Sequence, residues 1–337
     1  MALVKYNTNM ELSPFGFNNL GATCYFNAML QSLLSCTSFT QELLQRKESE
    51  EYDKNPVTKK LIELIELALS LKDIEKNTTE KNTTEKNTTE KKSASVRSLL
   101  GQYSPSVWKE MVMFLCKKNK MNIGEFMVGQ QCAREGFHCL MDVMENFDSI
   151  QNIFLHRYKN MIHCFDCNKW VSSVESMYSL FEVQPDLKTE QLERFKKYDI
   201  DQTQDMNKFL ARQTGYVDKF YICPKCKKDG EKYNINCLVM VPEVLVVLSK
   251  KYVAGRKLDV HTNFPKNLEF KGKGESKLTY EAVSQIEHSG GLNGGHYWAV
   301  SRRNDGWYTL NDNSVSKSEF SPTKNTYIVF YHLVASV

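Results

Sequence analysis

Two Cys-x-x-Cys pairs, Cys164-Phe-Asp-Cys167 and Cys223-Pro-Lys-Cys226, constrain this chain more than any other feature of it. Each pair offers two thiols a tight turn apart, the arrangement with which one tetrahedral metal ion takes two of its four corners. Two such knuckles make one closed site, so two distant segments must meet. Between them lie strand-like residues from Trp170 to Val183, a helical segment around Leu192 to Leu210 and a return through Tyr221. The expectation is a single structural Zn2+ held by Cys164, Cys167, Cys223 and Cys226, with no open position and therefore no part in catalysis.

The other cysteines bear on compartment. Cys36, Cys116, Cys132, Cys139 and Cys237 mostly lie in apolar helical or strand patterns, which suits buried thiols in a reducing environment. No apolar run is long enough to cross a bilayer, and Met1 to Met10 lacks the apolar centre of a signal peptide. An intracellular protein, cytoplasmic or nuclear, is expected. Lys plus Arg number 44 against 40 Asp plus Glu, a net charge of +4, which is too weak a bias to argue for nucleic acid or a membrane surface. A monomer that binds neither is expected.

Gly16 to Ser35 reads as a glycine-containing loop feeding an amphipathic helix. Phe26, Leu30, Leu33 and Leu34 recur at helical spacing, Asn27 and Gln31 fall elsewhere on the wheel, and Cys24 stands at the junction. Helix N-termini favour the thiolate, which is the nucleophilic form. Taken alone, such a cysteine is as readily a packing residue. The far end of the chain changes the balance, because Gly294-Gly295-His296-Tyr297-Trp298 opens one strand and Gly306 to Asp312 forms another that ends in Asn311-Asp312. Cysteine first, then histidine and asparagine late, is the chain order of papain-like thiol proteases.

These segments resemble a known family. Gly16 to Ser35 is similar to the cysteine box of the ubiquitin-specific proteases. Tyr280 to Tyr331, with His288-Ser289-Gly290, Gly295-His296-Tyr297 and Trp307 to Val315, resembles their histidine box. The likeness continues through Gln130-Gln131 to Met144, the cysteine pairs, and Pro242-Glu243-Val244-Leu245 leading to Lys250-Lys251-Tyr252. It implies an α+β papain-like cysteine protease fold in one catalytic domain over 1–337. A helical thumb would cover about 15–155, zinc-tied β fingers about 156–240 and an antiparallel β palm about 241–337. The implied reaction is hydrolysis of the isopeptide or peptide bond after the C-terminal glycine of ubiquitin, through an acyl-enzyme.

Carried over residue by residue, the resemblance makes Cys24 the nucleophile, His296 the general base, Asn311 the residue orienting the imidazole, with Asp312 sharing that task, and Asn19 a donor to the oxyanion. Ala22 stands where the family often has a second asparagine, so the oxyanion site would rest on Asn19. His288 is expected to stabilise a loop and is left out of the site. The family's Gln-Gln-Asp-Ala-His-Glu-Phe, whose acidic residue grips ubiquitin's basic tail, is here Gln130-Gln131-Cys132-Ala133-Arg134-Glu135-Gly136. Glu135 is then either the substitute or a solvated helix-start residue. These departures keep two other readings open, a catalytically silent ubiquitin-binding scaffold and a protease for a ubiquitin-like modifier.

The rest is a coarse reading of elements. The helix from Cys24 is expected to run on into Phe39–Leu44, and another carries Leu61, Ile62, Ile65 and Leu69. A tandem Glu-Lys-Asn-Thr-Thr repeat leaves 75–92 almost without apolar residues, so a disordered, solvated insert is expected there. Ser104-Pro105-Ser106 reads as a helix start and a helix follows from about Gln131. Leu238 to Leu248 reads as one buried strand. Further strands are expected at about Ala282–Glu287, Tyr297–Arg302, Trp307–Leu310 and Tyr327–Leu333.

Overall fold

The computed structural model describes residues 10–77, 83–120, 132–183, 216–253, 256–257, 261–271, 277–291 and 294–336. Gln130-Gln131 and the helical segment expected around Leu192 to Leu210 lie outside them. Seven helices are described: α1 (Cys24–Leu33), α2 (Thr37–Gln45), α3 (Glu50–Lys54), α4 (Pro56–Lys76), α5 (Thr83–Asn119), α6 (Ala133–Val143) and α7 (Asp148–Phe154).

Helix α1 is the centre of the molecule, and all ten of its residues are buried. It does not run on into Phe39–Leu44. The chain breaks after Leu34, and Cys36, in an extended conformation with ψ 96°, starts α2 in a new direction. Helix α4 begins as its sequence dictates. Pro56 occupies the first position, where no N–H is needed, and Asn55 Oδ1 accepts from Val57 N and Thr58 N.

Helix α5 corrects two expectations. It starts at Thr83, so residues 83–92 of the repeat are helical and not a solvated loop, and Pro105 lies inside it and not at its start. Tertiary contacts override the composition: α5 packs along α4, Ser93 and Arg97 both bond the Glu75 carboxylate, and Arg97 also donates to Pro14 O. Proline has no N–H to give the carbonyl four residues back, which here is Gly101 O. That carbonyl instead accepts from Asn18 N at 2.8 Å. The helix irregularity thus anchors the loop that leads to Cys24.

Strands β1 (His156–Cys164), β2 (Lys169–Tyr178), β4 (Tyr216–Ile222) and β5 (Asp229–Met240) form a four-stranded sheet in the order β2-β1-β5-β4. The larger sheet runs β13-β12-β11-β10-β14-β6-β3, with β9 also paired to β10. Its strands are β3 (Phe181–Val183), β6 (Val244–Ser249), β9 (Asn267–Lys271), β10 (Lys277–Gly290), β11 (Gly295–Arg303), β12 (Gly306–Asn311), β13 (Ser314–Ser318) and β14 (Thr326–Ser336). A small hairpin, β7 (Tyr252–Val253) with β8 (Arg256–Lys257), is paired into neither sheet.

Three details differ from the sequence reading. The run Leu238 to Leu248 is two strands of two different sheets, separated near Pro242, which can donate no ladder bond. Phe181–Val183, within the range expected for the fingers, belongs to the larger sheet. It pairs parallel with β6, so that sheet is mixed and not purely antiparallel. The main core joins α1, the other helices and one face of this sheet, whereas a second cluster around Phe181, Leu245, Tyr280 and Tyr331 fills the opposite face.

Helix α1 lies on β10, β11 and β12, and a buried arginine pins its C-terminal end. Arg303, 1% exposed, donates to Gln31 O at 3.1 Å, to Gln31 Oε1 at 2.6 Å and to Ser35 Oγ. The positive charge sits at the carbonyl end of the helix dipole. Replacing it by methionine orphans Gln31 Oε1 and removes a donor from Gln31 O and Ser35 Oγ, which keep their bond to each other, at a cost of about 1–3 kcal/mol, so Arg303→Met should lower the urea midpoint at unchanged slope. An unchanged midpoint would mean that the helix does not depend on this pin.

Candidate active site and metal centre

Cys24 opens α1 and His296 stands second in β11, the strand against which α1 packs. Cys24 is 3% exposed, whereas the His296 side chain is 41% exposed. His296 Nε2 donates to Asn311 Oδ1 at 2.5 Å, and Asn311 is the last residue of β12, the strand next to β11. An amide oxygen only accepts, so this bond places the ring proton on Nε2 and leaves the lone pair on Nδ1. The Trp298 ring stacks on the imidazole, with centroids 6.2 Å apart and planes 21° apart.

Asp312 occupies the β12–β13 turn with φ 48°, a left-handed conformation that aspartate tolerates better than most residues. Its Oδ2 lies 4.0 Å from His296 Nε2 and accepts from Asn19 Nδ2 at 2.9 Å, while its Oδ1 accepts from Asn27 Nδ2 at 2.7 Å. Asn19 Oδ1 in turn accepts from Gly21 N at 2.8 Å and Thr23 N at 3.2 Å. An unbroken series of polar contacts therefore runs from the imidazole to the residue before Cys24. One amide proton of Asn19 is committed to Asp312, so only the other is left to serve an oxyanion.

The backbone makes this approach possible. Phe17 N donates to Asp312 O at 2.9 Å, and a Cβ on Gly16 would sit 2.7 Å from Asp312 O and from Asn313 Cα. Only glycine lets the entry loop lie against the turn so closely. Asn27 was not foreseen as a site residue. It bonds Asp312 and Asn18 O and accepts from Ser104 Oγ at 2.5 Å. The available signal was a polar amide one turn from Cys24 in a helix otherwise fit for complete burial.

Asp312→Ala would leave Asn19, Asn27 and the imidazole without their common partner. Because a misplacement of about 1 Å can cost roughly 100-fold in rate, a 10–100-fold loss in kcat is expected, with KM nearly unchanged. Wild-type kcat in steady-state hydrolysis would exclude a role for this carboxylate.

The departures around Cys132 are accommodated locally. Cys132 caps α6 through its sulfur, which accepts from Glu135 N at 3.4 Å, while Glu135 Oε2 accepts from Cys132 N at 3.0 Å, a capping box with a thiol in the hydroxyl position. The Glu135 carboxylate is thus engaged at the helix start. Arg134 pairs with Glu182 at 2.8 Å. Gly136 makes room for Tyr25, whose ring would lie 3.0 Å from a Cβ there.

At the tip of the smaller sheet, the β1–β2 and β4–β5 turns bring the two cysteine pairs together. Cys164 Sγ lies 3.7 Å from Cys226 Sγ, Cys167 Sγ lies 3.9 Å from Cys223 Sγ, and all four sulfurs fall within 4.8 Å of one another. A tetrahedron with metal–sulfur bonds of about 2.3 Å has edges of about 3.8 Å, so the four cysteines can hold one metal ion with no position left over. Lys232, fully buried, donates to Asp166 Oδ2 at 2.7 Å beside this cluster.

Among the described residues, no helix is long and apolar enough to cross a membrane. The chain is 33% identical to ubiquitin carboxyl-terminal hydrolase 9 of Arabidopsis thaliana over 141 residues, 38% of this chain and 16% of that protein. It is 23% identical to the probable ubiquitin carboxyl-terminal hydrolase 8 of Schizosaccharomyces pombe over 337 residues, 94% of this chain and 64% of that protein. It therefore spans less than two thirds of the length of these relatives. The fold matches a solved SAGA Ubp8/Sgf11/Sus1/Sgf73 DUB module bound to ubiquitin aldehyde with a TM-score of 0.68 at 16% identity, over 98% of this chain and 72% of that one. A second structure of the Ubp8-Sgf11-Sgf73-Sus1 SAGA DUB module matches with a TM-score of 0.64 at 17% identity, over 99% of this chain and 71% of that one. Residues 15–331 match the ubiquitin carboxyl-terminal hydrolase family along nearly the whole chain, and the chain belongs to that family.

Proposed function

We propose that this chain is a cysteine deubiquitinase, hydrolysing the bond after the C-terminal glycine of ubiquitin. The observation that carries the reading is the His296–Asn311 hydrogen bond on the strand pair that flanks the helix opened by Cys24. His296 Nδ1 takes the Cys24 proton, and the thiolate sulfur attacks the glycine carbonyl carbon. Asn19, through its remaining amide proton, and the backbone N–H of Cys24 stabilise the oxyanion. When the carbon–nitrogen bond breaks, the imidazolium protonates the leaving amine. Water, deprotonated by the same imidazole, then releases ubiquitin from the thioester and restores the thiol.

Zn2+ is the ion that best suits four thiolates and a closed tetrahedron, and its role here is to fix the finger strands against which ubiquitin lies. A reducing, intracellular compartment preserves both the nucleophilic thiol and the metal thiolates. An intact imidazole–amide pair supports catalysis over the silent scaffold. Incubation with ubiquitin carrying a C-terminal electrophile, followed by peptide mapping, should find the adduct on Cys24. An adduct on another cysteine, or none, would refute the assignment.

A further inference from the structure

The hairpin that presents His296 runs past the end of its neighbouring strand. Strand β10 pairs with β11 up to Gly290↔Gly295, with Ser289 opposite His296. On its other edge β10 pairs with β14 only as far as Glu287↔Thr326, and one further bond runs from His288 N to Asn325 O at 2.8 Å. In a strand, the N–H and C=O of one residue face the same edge, so His288 O points to the side that β14 has already left. Lys257, the last residue of β8, fills that place. Its Nζ donates to His288 O at 3.0 Å and to Gly290 O at 2.8 Å. A third contact, 3.0 Å to His288 Nδ1, completes the set.

The same ammonium fixes a ring. His288 is 3% exposed, and burial together with Lys257 pushes its pKa down to about 4, so it stays neutral and Nδ1 accepts. The ring lies 4.3 Å from that of Tyr297, the residue after His296. A Cβ on Gly295, the residue before His296, would strike His288 Nε2, and one on Gly290 would lie 2.5 Å from Gly295 Cα. Residues on both sides of His296 are therefore packed against the group that Lys257 holds.

We infer that Lys257 is a positioning residue for the His296 imidazole: by bonding the edge of β10 beyond the last residue paired with β14, it sets where the β10–β11 hairpin presents the base. This rests on His296 acting as the base. Removing the ammonium takes one donor at once from two carbonyls and from the His288 ring, and the hairpin mouth loses its fixed geometry while the sheet behind it is retained.

The test compares wild type, Lys257→Met, Lys257→Gln and His296→Ala on a ubiquitin C-terminal fluorogenic amide. Iodoacetamide alkylation of Cys24 below neutral pH and thermal unfolding are measured on the same samples. Lys257→Met should lose roughly 10–100-fold in kcat with KM nearly unchanged, as expected for a base displaced by about 1 Å. Cys24 alkylation should slow in parallel, because the thiolate depends on a well-placed imidazole, while the unfolding temperature stays near wild type. Lys257→Gln, which keeps one donor, should fall between the two and carries the measurement if the methionine variant does not fold. Wild-type kcat and alkylation in both Lys257 variants, with His296→Ala inactive, overturns this inference alone. Turnover surviving in His296→Ala overturns the assignment of the base on which it rests. A loss of kcat matched by a loss of folded protein, with alkylation unchanged, also overturns it, since Lys257 would then be only structural.

Discussion

Cys24→Ala should abolish turnover, by roughly 10⁴–10⁶-fold, while ubiquitin still binds. Cys24 is buried at the start of a helix whose ten residues are all enclosed, and alanine keeps the helix propensity and most of the packing there. Loss of one sulfur removes the proposed nucleophile and leaves the Asn19–Asp312–Asn27 bonds and the His296–Asn311 bond in place. Steady-state hydrolysis and titration calorimetry with ubiquitin measure the two properties separately. Residual turnover near wild type would rule out covalent catalysis by this residue, and loss of binding with loss of turnover would indicate a damaged fold.

The second large effect concerns the metal. Among the described residues, neither hydrophobic cluster contains one of β1, β2, β4 or β5, and the contact of this sheet with them is the His156 ring, 5.8 Å from that of Phe181. Strand pairing and the four cysteines at its tip tie its strands together. A structural zinc can supply about 10–16 kcal/mol of binding free energy that is also folding free energy. Cys223→Ser, or removal of the ion by a strong chelator, should therefore take the metal content from one ion per chain to none. Hydrogen exchange should then become fast across residues 156–178 and 216–240, while α1 and the β10–β11 pair stay protected. A metal-free protein with full protection in those strands would show that the cluster is not what orders them.

The sites differ in how far they could be read in advance. The metal cluster is legible because each Cys-x-x-Cys pair fixes its two sulfurs through local geometry, and only the meeting of the pairs needs the fold. The terminal strands are legible because alternation and turn residues are local signals, and β10, β11, β12 and β14 contain the segments expected. Helix α5 is not legible in the sequence for the converse reason: the repeat and Pro105 carry local signals against helix, and packing on α4 with the Gly101–Asn18 bond outweighs them.

What the sequence determined by itself was an inventory in a fixed order: an early cysteine at a helix start, late histidine and asparagine on neighbouring strands, and four thiols in two tight turns. Tertiary structure alone decided how that inventory is wired. Asp312 bonds Asn19 across 293 positions and Asn27 across 285, Gly16 admits the turn that carries it, and Lys257 closes an edge left by a strand that ends early. Periodicity reports which face of an element is buried, and it reports nothing about which unpaired donor on one element meets which acceptor on another. That choice is made when packing excludes water and most buried polar groups must find their partners within the protein.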